Sequence, residues 1–192
     1  MTTTYLRDLR PAAVMIALLT LITGILYPLA VTLVGTVAMP GQASGSLVTV
    51  QGRVVGSALI GQSFTDPRYL WGRPSAAGAG YDANASGGSN LAPTSRALVE
   101  RVTAELARLQ AADGDAPVPV ELVTASASGL DPHLSPAAAR YQVARIAAAR
   151  GMTTDAVLAV IDAHTEHPLL GVLGTDVVNV LAVNLALDAL AP

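Results

Sequence analysis

The sequence predicts an α+β soluble domain carried on a single N-terminal transmembrane helix. Three observations predict it. An uncharged apolar run lies near the N-terminus, two β-rich segments flank a glycine turn, and later segments combine helical periodicity with capping residues.

No charged side chain occurs from Pro11 to Gly52. The apolar part, 11–39, is about 29 residues long, more than the ~20 that cross a hydrocarbon core. A cleaved signal has an apolar region of only ~7–15 residues, so the run reads as a retained anchor. Arg7, Arg10 and the α-amino group flank it on the N-terminal side, diluted by Asp8, and no arginine follows until Arg53. The positive-inside rule then puts residues 1–10 in the cytoplasm and the domain on the outer face of the cell membrane. Along the helix Thr20, Gly24, Pro28, Thr32 and Thr36 recur every four residues, a ridge small enough for a partner helix to approach closely. Pro28 removes an internal hydrogen bond and predicts a kink near mid-span.

Residues 40–46 read as a Gly/Ser/Pro linker and 47–192 as one domain. Leu47–Val50 and Val54–Ile60 flank Gln51-Gly52-Arg53 and predict a hairpin. Residues 61–92 read as a long loop, functional or mobile, with a glycine-rich tract from Gly78 to Asn90. A helix is predicted over 93–112, with Leu98, Val102, Leu106 and Leu109 as its apolar stripe and Gly114 as its stop. Alternation of Val118, Val120 and Leu122 predicts a third strand. Ser135-Pro136 predicts a helix start, with the helix running to Arg150 and ending at Gly151. Thr153 predicts a cap for a helix over 154–164. The segment 176–190 is apolar on nearly every side and is expected to be buried, although it carries Asn179, Asn184 and Asp188.

Composition excludes several functions. The net charge is -3, which rules out the broadly basic surface of nucleic-acid binders. Cysteine is absent, so disulfides and thiolate metal sites are excluded. His164 and His167, with Asp131 and His133 elsewhere, are metal-ligand residue types, but a His-x-x-His at a helix end favours capping or surface roles. Ser126 and Ser128 lack the strained Gly-x-Ser-x-Gly elbow and read as turn formers. The tract 78–90 has no Gly-Lys-Ser/Thr to cradle phosphate, and Asn84-Ala85-Ser86 matches a glycosylation sequon by letter only. These residues assemble no catalytic constellation.

Several ordered motifs carry a family resemblance. Gly56-Ser-Ala-Leu-Ile-Gly-Gln-Ser-Phe64, Tyr69-Leu-Trp-Gly-Arg-Pro-Ser75 and Ser86-Gly-Gly-Ser-Asn-Leu91 resemble the C subunit of the bacterial Kdp potassium-transporting P-type ATPase. So do Val123-Thr-Ala-Ser-Ala-Ser-Gly-Leu-Asp-Pro-His133, Ser135-Pro-Ala-Ala-Ala-Arg-Tyr-Gln-Val143 and Val178-Asn-Val-Leu-Ala-Val-Asn-Leu-Ala-Leu-Asp188. The resemblance implies a non-catalytic subunit of a high-affinity potassium uptake complex, partnered by the potassium-translocating A subunit, the ATP-hydrolysing B subunit and the small F subunit. No tightly bound cofactor is expected, and ATP is expected only through the partner subunit. The resemblance also implies a catalytic chaperone that raises the ATP affinity of the B subunit, with Gln142 as the nucleotide contact. That role conflicts with the orientation read from the arginines, which puts Gln142 outside, away from ATP. Orientation carries the greater weight, and the expectation is an outer domain that caps the potassium entrance of the A subunit.

Overall fold

The computed structural model of the chain describes residues 2–168 and 170–190. It divides into two compact units, Met1–Leu47 and Val48–Pro192. The Met1 α-amino group, part of the predicted N-terminal charge, lies outside the described residues.

The first unit is helical. Helix α1 (Thr2–Leu19) passes through a π-helical segment, Thr20–Leu26, into α2 (Tyr27–Ala38). The helix therefore begins well before Pro11, and Asp8 and Arg10 ride on α1 rather than preceding it. Pro11 withholds one backbone donor, and the carbonyl it leaves unpaired lies toward the charged end, where water can take it. Asp8–Ala38, 31 residues of mean hydropathy 2.3, is long and apolar enough to span a membrane. At Pro28 the expected disturbance takes the form of a wide turn. Tyr27 donates its N–H to the Ile22 carbonyl, five residues back, which relieves the crowding that a proline ring imposes on the preceding turn. The threonine hydroxyls close on the helix itself. Thr23 Oγ1 donates to the Leu19 carbonyl at 2.7 Å and Thr36 Oγ1 to that of Thr32 at 2.9 Å, which leaves neither donor free in a hydrocarbon setting. A single turn, α3 (Pro40–Ala43), occupies part of the predicted linker.

In the second unit, strands β1 (Leu47–Val50) and β2 (Arg53–Ser57) form the predicted hairpin. Gln51 and Gly52 both have positive φ, 49° and 77°, the signature of a two-residue hairpin turn, so Arg53 joins the strand. Strand β2 stops at Ser57 rather than Ile60, where the Ser57 hydroxyl accepts from the Leu59 N–H at 3.1 Å and turns the chain. Helix α4 (Arg96–Asp113) buries Leu109 and ends at Gly114, as its periodicity predicts.

The strand expected at Val118–Leu122 is a correction. Val120–Leu122 is a 3-10 turn. Pro117 and Pro119 bracket Val118 and supply no N–H, so that edge cannot pair, and Val120 is left exposed while Leu122 enters the core. The domain's second sheet is built instead from β3 (His133–Leu134), β4 (Thr165–Glu166) and β5 (Val177–Asn179), with β5 central and antiparallel to both neighbours.

The Ser135 hydroxyl accepts from the Ala138 N–H at 3.2 Å and starts α5 (Pro136–Tyr141). The predicted continuous helix breaks at Gln142, whose N–H bonds Ala139, three residues back, before α6 (Val143–Arg150) resumes. Gly151 caps α6 in the left-handed region, and Thr153 caps α7 (Thr154–Ala163), both as predicted. The last segment is β5 followed at once by α8 (Val180–Leu190), and Asn179 Oδ1 accepts from the Ala182 N–H to start that helix. Ile146, Val157, Ile161, Val178, Val183 and Leu187 form the core with Leu70 and Trp71 from the long loop. Burying each such side chain is worth about 1.5–3 kcal/mol, and this is what holds the loop inside the fold.

Candidate functional site

Two side-chain amides grip consecutive residues of the 61–92 loop. Asn184 of α8 accepts from the Leu70 N–H at 2.7 Å and donates to the Leu70 carbonyl at 3.0 Å. Gln142, between α5 and α6, does the same at Trp71: its Oε1 accepts from the N–H at 2.9 Å and its Nε2 donates to the carbonyl at 3.0 Å. Each amide replaces the strand partner that this extended segment lacks.

Arg145, three residues beyond Gln142 on the same helical surface, completes the centre. Its guanidinium donates to Gln142 Oε1 at 2.6 Å, to the carbonyls of Pro67 and Tyr69, and to Asp113 Oδ1 at 2.9 Å. It also lies 3.8 Å from the Trp71 ring centroid. Both members of the ion pair are buried, with side chains 5% and 0% exposed. Burial raises the Asp113 carboxyl above its ordinary value and lowers the Arg145 guanidinium, each opposed by its partner's charge. Asp113 Oδ2 is buried without a hydrogen bond.

Gln142, the residue that the resemblance marks for nucleotide contact, is 0% exposed. A primary amide has two N–H donors and two lone pairs. Here Nε2 serves Trp71 and Ala138, while Oε1 serves Trp71 and Arg145. In this structure the side chain offers an external ligand neither access nor a free atom.

A second cluster surrounds Arg73. Its guanidinium pairs with Asp131 Oδ2 at 3.1 Å, and Asp131 Oδ1 accepts from the His133 N–H at 3.0 Å. The His133 side chain, with Arg73 behind it, lowers the Asp131 carboxyl, and Asp131 in turn raises the His133 imidazole. Around this cluster the glycine-rich tract is stitched to residues 126–131. Ser75 Oγ donates to the Gly129 carbonyl at 2.6 Å and accepts from the Tyr81 N–H at 2.7 Å. The Tyr81 hydroxyl donates to the Arg73 carbonyl, and burial pushes its pKa up to about 12. Gly129, at φ 66°, sits where a Cβ would meet Ala77 N and Gly87 O at 2.6 Å, so only glycine lets the two loops touch. A cavity of about 330 Å³ opens beside this cluster, lined by Phe64, Trp71, Arg73, Tyr81, Glu105 and Arg108.

The remaining sequence candidates are dispersed. His164 Nδ1 bonds the Val160 carbonyl at a helix end, and His167 pairs with Asp176 at 2.7 Å. No group of three or more His, Cys, Asp or Glu is placed to hold a metal among the described residues. Ser128 Oγ accepts from the Leu130 N–H and lies 3.4 Å from Ser126 Oγ, the turn role expected of both. Asn84 lies in a 3-10 turn capped by Asp82. Thr20, Gly24, Pro28, Thr32 and Thr36 all lie on the exposed surface of the apolar helix. A four-residue step overshoots a 3.6-residue turn by about 40°; the wider turn through Thr20–Leu26 offsets that drift in the first part of the ridge, while Pro28, Thr32 and Thr36 lie in the regular helix α2. Sequence reasoning missed Arg145, Asp113, Trp71 and Asn184. The one local signal was a polar Asn inside an otherwise apolar terminal segment.

An apolar helix of spanning length joined to a small α+β domain fits the class of single-pass membrane proteins. Residues 9–189 match the family described as KdpC, the c chain of K+-transporting ATPase. The chain is 56% identical over 187 residues to the potassium-transporting ATPase KdpC subunit of Polaromonas naphthalenivorans, covering 96% of this chain and 95% of that protein. It is 57% identical over 186 residues to the subunit of Sorangium cellulosum, and 58% identical over 191 residues to that of Myxococcus xanthus. The chain belongs to the KdpC family of potassium-transporting ATPase subunits.

Proposed function

We propose that this chain is a non-catalytic subunit that holds the potassium-transporting complex together and caps the potassium entrance of the channel-like A subunit. Its anchor clamps against helices of the A, B and small F subunits through the ridge Thr20, Gly24, Pro28, Thr32 and Thr36. The domain stands on the outer face of the cell membrane, the N-terminus in the cytoplasm. The observation that carries this reading is the state of Gln142, sealed from solvent and saturated by Trp71, Arg145 and Ala138. A side chain so placed serves the domain's shape. The arginine asymmetry supports the orientation.

The test is sidedness. A cysteine introduced between Gly78 and Asn90 has no native cysteine of this chain to compete with. Labelling by an impermeant maleimide in intact cells supports the outer cap. Labelling only after permeabilisation overturns it.

The chaperone reading, with ATP reached through the B subunit and Gln142 as a contact, draws on the likeness of Tyr141-Gln142-Val143 to the family motif. It requires the Trp71 loop to open. Gln142→Ala in the whole complex separates the two: a raised KM for ATP supports the chaperone, whereas an unchanged KM with lowered complex recovery supports the structural role.

A further inference from the structure

We propose that the tip of the β4–β5 hairpin, Leu170–Leu173, is a docking finger that enters an apolar recess on another subunit of the ATPase. Leu170, Val172 and Leu173 are 85%, 77% and 62% exposed. Among the described residues, no other loop of the domain exposes three large apolar side chains so close together. Apolar side chains grouped in this way on a water-facing loop mark a contact surface.

The finger is built rather than slack. Its base is the β4–β5 pairing, Thr165 with Val178 and Glu166 with Val177, and Val178 is fully buried in the core. Above the base, the exposed His167 and Asp176 side chains join at 2.7 Å and pin the two sides of the loop. At the tip, the Gly171 N–H donates to the Pro168 carbonyl at 3.0 Å. Leu170 and Gly171 take positive φ, 56° and 73°. A leucine in the left-handed region is uncommon.

The chemistry favours a protein partner over lipid. Between His167 and Asp176 there is no charged and no aromatic residue. A bilayer-seated loop carries Trp, Tyr, Lys or Arg at its margin, whereas this tip is flanked by the exposed carboxylates of Glu166 and Asp176. Those carboxylates disfavour an anionic headgroup layer. They equally disfavour a tip-to-tip pair of copies, which would bring like charges together. The complementary surface is an apolar recess rimmed by basic groups or backbone N–H donors. The proposal rests on the chain being one subunit of a multi-chain ATPase, and it does not depend on which face of the membrane the domain occupies.

The test uses the intact ATPase complex carrying a photoreactive benzophenone amino acid at position 172, or at 99 on α4 as a comparison site, Val99 being 58% exposed. An adduct from position 172 with the mass of another ATPase subunit is the expected result. The double variant Val172→Asp with Leu173→Asp should lower co-purification of the complex by about tenfold, with the unfolding midpoint of the chain unchanged. An adduct with lipid alone, or with a second copy of this chain, overturns the proposal. Capture of a subunit from position 99 but not from 172 overturns the finger and leaves the subunit's docking intact. Capture from neither position overturns both the finger and the docked domain.

Discussion

Gln142 meets Trp71 at two points, accepting from its N–H at 2.9 Å and donating to its carbonyl at 3.0 Å across 71 residues of sequence. Asn184 repeats the contact at Leu70, so consecutive residues of one loop are held by amides from two different helices. Leu70 and Trp71 of the long loop after the hairpin are therefore a fixed part of the core, and the side chains that hold them are polar and buried.

Gln142→Ala should destabilise the chain by roughly 2–4 kcal/mol, because the Trp71 N–H and carbonyl and one Arg145 N–H lose their buried partner together. Urea unfolding of the purified full-length chain in detergent, followed by Trp71 fluorescence, measures it. Trp71 is the chain's only tryptophan and so reports on this contact directly. A loss below about 0.5 kcal/mol would mean that the amide is not holding the loop.

Asn184→Leu keeps the side-chain volume but strands the Leu70 peptide, and a loss of about 1–3 kcal/mol is expected. Asn184→Asp should cost more, since it keeps the acceptor but removes the donor and buries a charge. The order of the two unfolding midpoints checks the assignment. An Asn184→Asp chain as stable as Asn184→Leu or more so would contradict the cost assigned to the buried carboxylate.

The Asp131–His133 pair predicts a pH dependence. The Asp131 carboxyl lies below its ordinary 3.8 in the fold, so its stabilisation is present above 3.8 and is lost as pH falls through the folded value. The His133 imidazole lies above its ordinary 6.5, so its stabilisation is full below 6.5 and is lost as pH rises through the folded value. The stability difference between the native chain and His133→Asn should therefore be greatest between pH 3.8 and 6.5 and shrink on the alkaline side. Denaturant midpoints across pH test this, and a difference that grows above 6.5 contradicts the pairing.

Gly24→Leu places a bulky side chain on the proposed packing ridge, where a Cβ meets only Thr20 Cγ2 at 3.8 Å within the chain itself. The variant fits the isolated helix, so any penalty arises from a partner helix. Recovery of intact complex should fall, while Ala30→Leu, on the opposite side of α2, should leave recovery unchanged. Equal recovery for both removes the ridge from the assembly surface.

Features that depend on a few neighbouring residues were legible. The uncharged run marks the apolar helix, Ser135, Thr153 and Gly151 mark helix ends that form where expected, and Gln51-Gly52 marks the hairpin turn. Alternation misled at Val118–Leu122 because two prolines deny that edge its donors. Continuity misled at Gln142, because a break there has no mark in the sequence.

By itself the sequence determined the apolar helix, the mixed α+β class and the family, because hydropathy, caps and ordered motifs are local properties. Only the tertiary structure decided what Gln142, Asn184, Arg145 and Asp113 do. Their long-range partners lie between 32 and 114 residues away, and a buried amide or ion pair is defined by what it meets in space. The same holds for the sheet, whose central strand β5 comes from the end of the chain and is placed by pairing with His133–Leu134 and Thr165–Glu166.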